Sequence, residues 1–291
     1  MNILILGATG NTGSIIVNQL KKKQANFGVM VTRYKDAEKL ELQEKQIRIG
    51  NFDDVASLVE AFEGVNRIYV LTPIHAKARD WVKNIIVAAK TANVKHLVKQ
   101  SGLKASKDAT SEVIREHAIT DGLIKESGID YTLIQPNTFF QNFYANLASI
   151  NAEGRFYSSL GETAVSLVDI NDVAGVAVAA LTEDGHVGKT HLITGPESLT
   201  SSQQAKILSE AIGKEISYID LPEQALIGGL KEAGFGDWLS EKLGEMITWF
   251  TEGDYGFTTH TVEEVLGRKP RSFADFADEL ALSIDKTKKQ Y

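Results

Sequence analysis

The 291-residue chain contains no cysteine. Disulfides, thiolate nucleophiles and Cys-ligated zinc are thereby excluded, and the composition suits a reducing compartment. Long hydrophobic runs are also missing. The first apolar run, Ile3-Leu4-Ile5-Leu6, is far too short to span a bilayer and lacks the layout of a signal peptide. No other stretch approaches the roughly 18 apolar residues that a membrane helix needs. The expected location is the cytoplasm. Positive charge is not in excess: 31 basic residues face 38 acidic ones, a net charge of −7. Neither nucleic acid nor an anionic membrane is therefore expected as a general partner. The six histidines (75, 96, 117, 186, 191 and 260) have no metal-ligand spacing. What is present is ordinary globular material, 43% hydrophobic, in a chain long enough to bury a core without staples.

The first half alternates β-rich runs with helical patterns. Ile3–Leu6, Phe27–Thr32, Ile47–Ile49, Ile68–Leu71, His96–Gln100 and Tyr131–Gln135 are predicted as strands. Several are nearly continuous in apolar residues, as strands covered on both faces should be. Helices are predicted between them at Gly13–Lys23, Val55–Phe62, Lys77–Ala92 and Glu112–Ser127, the second opened by the capping carboxylates Asp53-Asp54. This rhythm predicts a doubly wound α/β fold, a parallel Rossmann sheet with helices on both faces. A smaller, mostly helical C-terminal subdomain follows. Residues 1–155 are expected to form the dinucleotide-binding domain, with 165–195 returning to it, and 156–291 the substrate side. Within the latter, Thr200 or Ser201 caps a helix that ends at Gly213. From Pro222 to Gly253 the chain reads as helical, with Trp238, Leu239, Leu243, Ile247 and Phe250 in a stripe.

Gly7-Ala8-Thr9-Gly10-Asn11-Thr12-Gly13 stands where the first strand turns into the first helix. A phosphate must approach the backbone closely there and take up the free N–H groups of the helix start. Glycines at 7, 10 and 13 allow the turn, the approach and the helix–strand contact, while Thr9, Asn11 and Thr12 add side-chain donors. The alternative for such a loop is a plain strand-to-helix turn, but its βαβ setting favours the phosphate cradle. About twenty residues on, an acid would bind a ribose 2′-hydroxyl. Here the second strand ends at Arg33, followed by Tyr34 and Lys35. A guanidinium in that place pairs with a 2′-phosphate, which favours NADP over NAD. Its alternative is a solvated strand end.

With Arg33, the loop Gly7–Gly13, Ser127-Gly128-Ile129-Asp130-Tyr131-Thr132-Leu133-Ile134-Gln135-Pro136 and Gly267-Arg268-Lys269-Pro270 occur together. In that combination and order the chain resembles, over nearly its whole length, the NmrA-like group of atypical short-chain dehydrogenases/reductases. Within the group it is most similar to the bacterial NAD(P)H:quinone oxidoreductase and triphenylmethane-dye reductase branch. The resemblance implies NADP(H) as cofactor and, beside the nicotinamide, Leu71-Thr72-Pro73 and the segment from Pro136 and Asn137 onward. Superfamily members that do acid–base chemistry carry a tyrosine and, four residues later, a lysine. Counting back from Asp121 puts Val113 at the first position and His117 at the second. Val113 cannot donate a proton, so alcohol dehydrogenation by that route is not expected, and nucleotide-sugar epimerisation falls with it. His117 has three readings: contact with the nicotinamide ribose, proton donation to a product, or a half-buried helix histidine. Ser101 matches the superfamily's serine and either touches substrate or caps the loop after its strand.

Sheets of this type bind ligands beyond the carboxyl ends of their strands. Leu71, Thr72, Pro73, Gln100, Ser101, Pro136 and Asn137 all follow or end predicted strands and are expected at that edge. Phe139, Phe140, Phe143 and Tyr144 are expected either as an aromatic wall for a flat substrate or as plain core. Trp238 and Trp249 are candidates for a lid. A nicotinamide hydride can pass directly to a conjugated electrophile such as a quinone without an enzymic acid, provided the geometry is held. A quinone reductase acting with NADPH is therefore the expected function, and a homodimer is compatible with it. The alternative is a non-catalytic NADP(H)-sensing regulator, as in fungal NmrA. The segment from Val262 to the end is open between substrate closure, interface and packing.

Overall fold

The computed structural model describes residues 2–288. In chain order its elements begin β1 (Ile3–Ile5), α1 (Asn11–Lys22), β2 (Phe27–Val31) and β3 (Ile47–Ile49). There follow α2 (Val55–Phe62), β4 (Arg67–Val70), α3 (Ala78–Thr91), β5 (His96–Gln100), α4 (Glu112–Glu126) and β6 (Asp130–Pro136). Next come α5 (Leu147–Glu153), β7 (Arg155–Ser158), α6 (Ile170–Thr182), β8 (Thr190–Ile193), α7 (Ser201–Ile212) and β9 (Ser217–Asp220). The chain closes with α8 (Glu223–Glu232), α9 (Asp237–Glu252), α10 (Thr261–Leu266) and α11 (Phe273–Lys288). No described helix is long and apolar enough to cross a membrane.

The described residues fall into two compact units. The first comprises residues 2–108, 114–136 and 173–192; the second comprises 109–113, 137–172 and 193–288. The expected boundary near 155 thus differs from the observed one: the chain leaves the first unit after Pro136 and returns at Val173.

The seven-stranded sheet has the order β3-β2-β1-β4-β5-β6-β8, and its paired strands run parallel. The order reverses between β1 and β4, which makes that pair the switch point of a Rossmann fold. β1 and β2 are buried along their whole length, as their unbroken apolar runs require. On one face Leu4, Ile68, Val70, Leu97 and Leu133 pack with Leu58 and Phe62 of α2, Val82 and Ile85 of α3, and Ile124 of α4. Asp54 caps α2 as expected, accepting hydrogen bonds from the N–H groups of Ala56 at 3.0 Å and Ser57 at 3.3 Å.

The second unit has its own aromatic core. Phe143 holds its ring tilted 5.1 Å from Phe156 and 5.1 Å from Phe273, while Phe140 lies 5.4 Å from Phe273 and 5.6 Å from Phe276. β7 and β9 form a separate two-stranded parallel sheet that the residue pattern did not reveal. Thr200 is the cap of α7, in a reciprocal pair with Gln203. The stretch expected to be helical from Pro222 to Gly253 holds two helices, α8 and α9. Gly234 and Gly236 adopt φ of +86° and +75° between α8 and α9, a conformation that side chains with a Cβ resist.

Candidate functional site

In the first unit the glycine loop joins β1 to α1. Gly7 has φ +71°, and a Cβ built on it would lie 2.9 Å from the carbonyl oxygen of Leu71, so the loops after β1 and β4 touch backbone to backbone. Gly13 is tighter: a Cβ there would lie 2.1 Å from the Gly7 oxygen and 2.8 Å from the Ala8 Cα. α1 therefore starts directly on the loop. Its start at Gly10 has no side-chain cap and no acid in the first turn. Thr9, Gly10 and Asn11 are exposed there, while Thr12 is buried. An uncapped helix start at the exposed Gly10, between glycines at 7 and 13, fits a bound pyrophosphate.

Arg33 stands two residues past Val31, where β2 ends, and is the N-cap residue of a 3₁₀ turn, Tyr34–Leu40. Its guanidinium is 65% exposed and pairs with Asp36, Nε donating to Oδ2 at 3.1 Å and Nη2 to Oδ1 at 2.9 Å. The hydrogen bond to Arg33 holds the Asp36 carboxyl below its ordinary value.

The loop after β4 is clasped from two sides. Asp53 accepts from the Trp81 indole at 3.0 Å and from Lys77 at 3.1 Å, and the His75 ring stacks on Trp81 at 4.6 Å. Those contacts hold the far end of the segment that begins Leu71-Thr72-Pro73. Leu71 and Thr72 are half-buried and Pro73 is exposed.

At the ends of β5 and β6, alternate residues face opposite sides. Gln100 accepts a hydrogen bond from the buried Tyr69 hydroxyl. Lys99 and Ser101 face α4, where both meet Asp121: Lys99 Nζ at 2.8 Å from Oδ1, and the Ser101 hydroxyl donating to Oδ2 at 2.8 Å. Gln135 of β6 donates to the same Oδ2 at 2.9 Å. All four residues are buried. A buried carboxylate needs such compensation, since an unpaired charge would cost several kcal/mol. The Ser101 proton is therefore committed to Asp121, which leaves its oxygen as an acceptor. His117 lies one helical turn before Asp121, its Cδ2 edge against Gly102. It keeps part of its surface open, yet the surrounding protein and the Lys99 ammonium push its imidazole down to about 4. At neutral pH it is neutral: able to offer one N–H to a hydroxyl, but no acid. Pro136 is buried where β6 ends.

Within the second unit several expected site residues have other partners. Asn137 is 1% exposed; its amide donates to Ser166 Oγ at 3.0 Å and to the Tyr255 carbonyl at 3.1 Å, while its own oxygen accepts from the N–H of Thr138 at 2.8 Å. The side chain of Asn137, expected at the cofactor, ties the chain after β6 to Tyr255. Phe140, at 1% exposure, and Phe143 belong to the aromatic core, which removes them from a substrate wall. Phe139 is half-buried and Tyr144 is 37% exposed, so these two retain surface for a ligand. Trp249 is buried, 4.1 Å from the Tyr255 ring, and cannot serve as a lid; Trp238 is half-buried.

The sequence matches the NmrA-like family over residues 1–277. The chain belongs to the NmrA-like family. It is 32% identical over 275 residues to an NAD(P)H azoreductase of Xenophilus azovorans, a match spanning 94% of this chain and 96% of that protein. Among solved structures, an NADPH-dependent quinone oxidoreductase of Escherichia coli complexed with NADPH has a TM-score of 0.85 at 26% identity, covering 96% and 99% of the two chains. Citrobacter triphenylmethane reductase, at 24% identity and TM-score 0.85, covers 97% and 100% and shares the fold.

The family's Gly267-Arg268-Lys269-Pro270 run has a structural task in this NmrA-like protein. Arg268 reaches Asp172 at 2.7 Å, and Arg271 just beyond reaches Asp169 at 2.8 Å and Glu279 at 3.0 Å. Both aspartates have fully buried side chains, and burial raises the Asp172 carboxyl above its ordinary value. Of the segment from Val262 onward, the described part thus packs on the second unit's core through Phe273, Phe276 and these ion pairs. Residues 289–291 lie outside the described residues. Reading by residue type missed Lys99, Asp121 and Gln135 as a group, because they are far apart in sequence. The one available signal was a charged residue, Lys99, in an otherwise buried strand.

Proposed function

We propose that this protein is an NADPH-dependent reductase that passes hydride to a quinone, azo compound or similar conjugated electrophile. The observation that carries the reading is the uncapped α1 start on a glycine loop, with Arg33 at the end of the neighbouring strand. Membership of the NmrA-like family supports it, as do relatives named as an NAD(P)H azoreductase and an NADPH-dependent quinone oxidoreductase. When bound, NADPH supplies the hydride.

The residues present supply binding and orientation. The backbone of Gly7–Gly13 receives the pyrophosphate and Arg33 the 2′-phosphate. Leu71, Thr72, Pro73, Gln100 and Pro136 border the nicotinamide end, and His117, neutral, offers its N–H to a ribose hydroxyl. Phe139 and Tyr144 serve the acceptor. Val113 stands where the superfamily's tyrosine would be and can give no proton, so the acceptor must stabilise its own developing charge and take a proton from water. That requirement selects conjugated acceptors over plain ketones.

Purified protein, NADPH and a panel of quinones, azo dyes and simple ketones test this by the absorbance of the reduced nicotinamide. Turnover of conjugated acceptors and none of simple ketones is expected. Tight binding of NADPH without turnover of any acceptor would make the protein a dinucleotide-sensing regulator instead. Arg33→Glu is expected to weaken NADPH binding far more than NADH binding; equal losses would refute the 2′-phosphate assignment.

A further inference from the structure

Arg33 is not a bare cation at the strand end. The hydrogen bond from the Asp36 N–H to the Arg33 carbonyl, at 2.9 Å, closes the turn that puts the two side chains side by side. The carboxylate then takes the Nε and one Nη2 hydrogen of the guanidinium. Three of the five guanidinium N–H groups take no part in the pair, including both on Nη1. Their open edge can meet a phosphate end-on. Asp36 keeps lone pairs of its own, and its carboxylate is 28% exposed. One surface thus carries a donor fork suited to a 2′-phosphate and, beside it, an acceptor suited to a 2′-hydroxyl.

Two electrostatic consequences follow. Asp36 cancels much of the field of Arg33, and it would stand within a few ångströms of a dianionic phosphate bound to the same fork. Both weaken NADPH. A ribose 2′-hydroxyl, by contrast, can donate to the carboxylate, which favours NADH.

We propose that Asp36 is a cofactor-specificity residue, one that tempers the NADPH preference set by Arg33 and lets the same site take NADH. The proposal rests on the assignment of Arg33 to the 2′-phosphate. Its test is direct titration of the wild type, Asp36→Asn and Arg33→Ala with NADPH and NADH, followed by nicotinamide fluorescence and read as dissociation constants. Asn retains the backbone turn and nearly the same volume. Asp36→Asn is expected to bind NADPH about three- to tenfold more tightly and NADH more weakly, the NADPH gain shrinking as salt is raised. A ratio of the two constants that stays within about twofold of the wild type would overturn the proposal. Weaker NADPH binding by Asp36→Asn would also overturn it, since the carboxylate would then be a clamp that holds the fork in place. Arg33→Ala separates this failure from that of the underlying assignment: if it leaves NADPH binding unchanged, the 2′-phosphate lies elsewhere and both fall.

Discussion

Gly13→Ala is the sharpest perturbation of the cradle. The added methyl would sit 2.1 Å from the Gly7 oxygen and 2.8 Å from the Ala8 Cα, both backbone atoms that cannot swing aside like a side chain. Restoring ordinary contact needs about 1.3 Å of separation between the loop and α1. Overpacking of this kind costs about 1–3 kcal/mol, against a gain of up to about 1 kcal/mol from replacing Gly by Ala in a helix. A net destabilisation of about 1–2 kcal/mol is expected, or roughly 2–8 °C in Tm for a chain of this size. Binding should suffer more, because the displaced groups are those that face the pyrophosphate, and an error of about 1 Å in a positioning element can cost up to about a hundredfold. NADPH titration should show at least about tenfold weaker affinity. Gly122→Ala is the control: it sits inside α4 with nothing within 4 Å of the new Cβ, so the same substitution should stabilise by about 0.4–1 kcal/mol and leave affinity unchanged. If urea unfolding and NADPH titration gave the same result for both variants, the argument from close approach would be wrong.

Arg271→Ala leaves Asp169, whose side chain is fully buried, without its ion-pair partner and should lower stability by about 3 kcal/mol in urea unfolding. In the first unit, Lys99→Met should destabilise by a similar amount by leaving the Asp121 charge without its cation, and Lys99→Met with Asp121→Asn, which removes the charge and keeps an amide oxygen to accept from Ser101 and Gln135, should regain part of that loss; a double variant no better than the single would contradict the ion-pair account. Acid should destabilise the protein through its histidines. Burial pushes His96, His117 and His191 down to about 4, whereas in the unfolded chain they take a proton near pH 6.5. Between those values the unfolded state binds more protons, so stability is present above about pH 6.5, falls as pH drops and levels off below about 4. Unfolding curves at pH 7, 5.5 and 4.5 check this, and His117→Gln should flatten the slope.

Local rules in the sequence were enough for the elements that satisfy themselves. The strands β1 and β2 are unbroken apolar runs, Asp54 and Thr200 are caps whose hydrogen bonds lie within a few residues, and the Gly7–Gly13 loop needs only its neighbours to turn. The place of Arg33 just beyond β2 was likewise legible from its distance along the chain. Long-range packing decided the rest. Phe140 and Phe143 look the same whether they line a pocket or fill a core, and only the arrival of Phe273 and Phe276, some 130 residues later, made them core. Asn137 was placed at a strand end correctly, but Ser166 and Tyr255 took its amide. Ser101 kept its position, but its hydroxyl donates its hydrogen bond to Asp121, twenty residues on. Sequence by itself determined the glycine loop proposed to hold the dinucleotide, because such a loop depends on backbone freedom over a few residues. Tertiary structure decided which polar groups are left to act on it, because a buried hydrogen-bonding group is claimed by whichever partner the fold brings within reach.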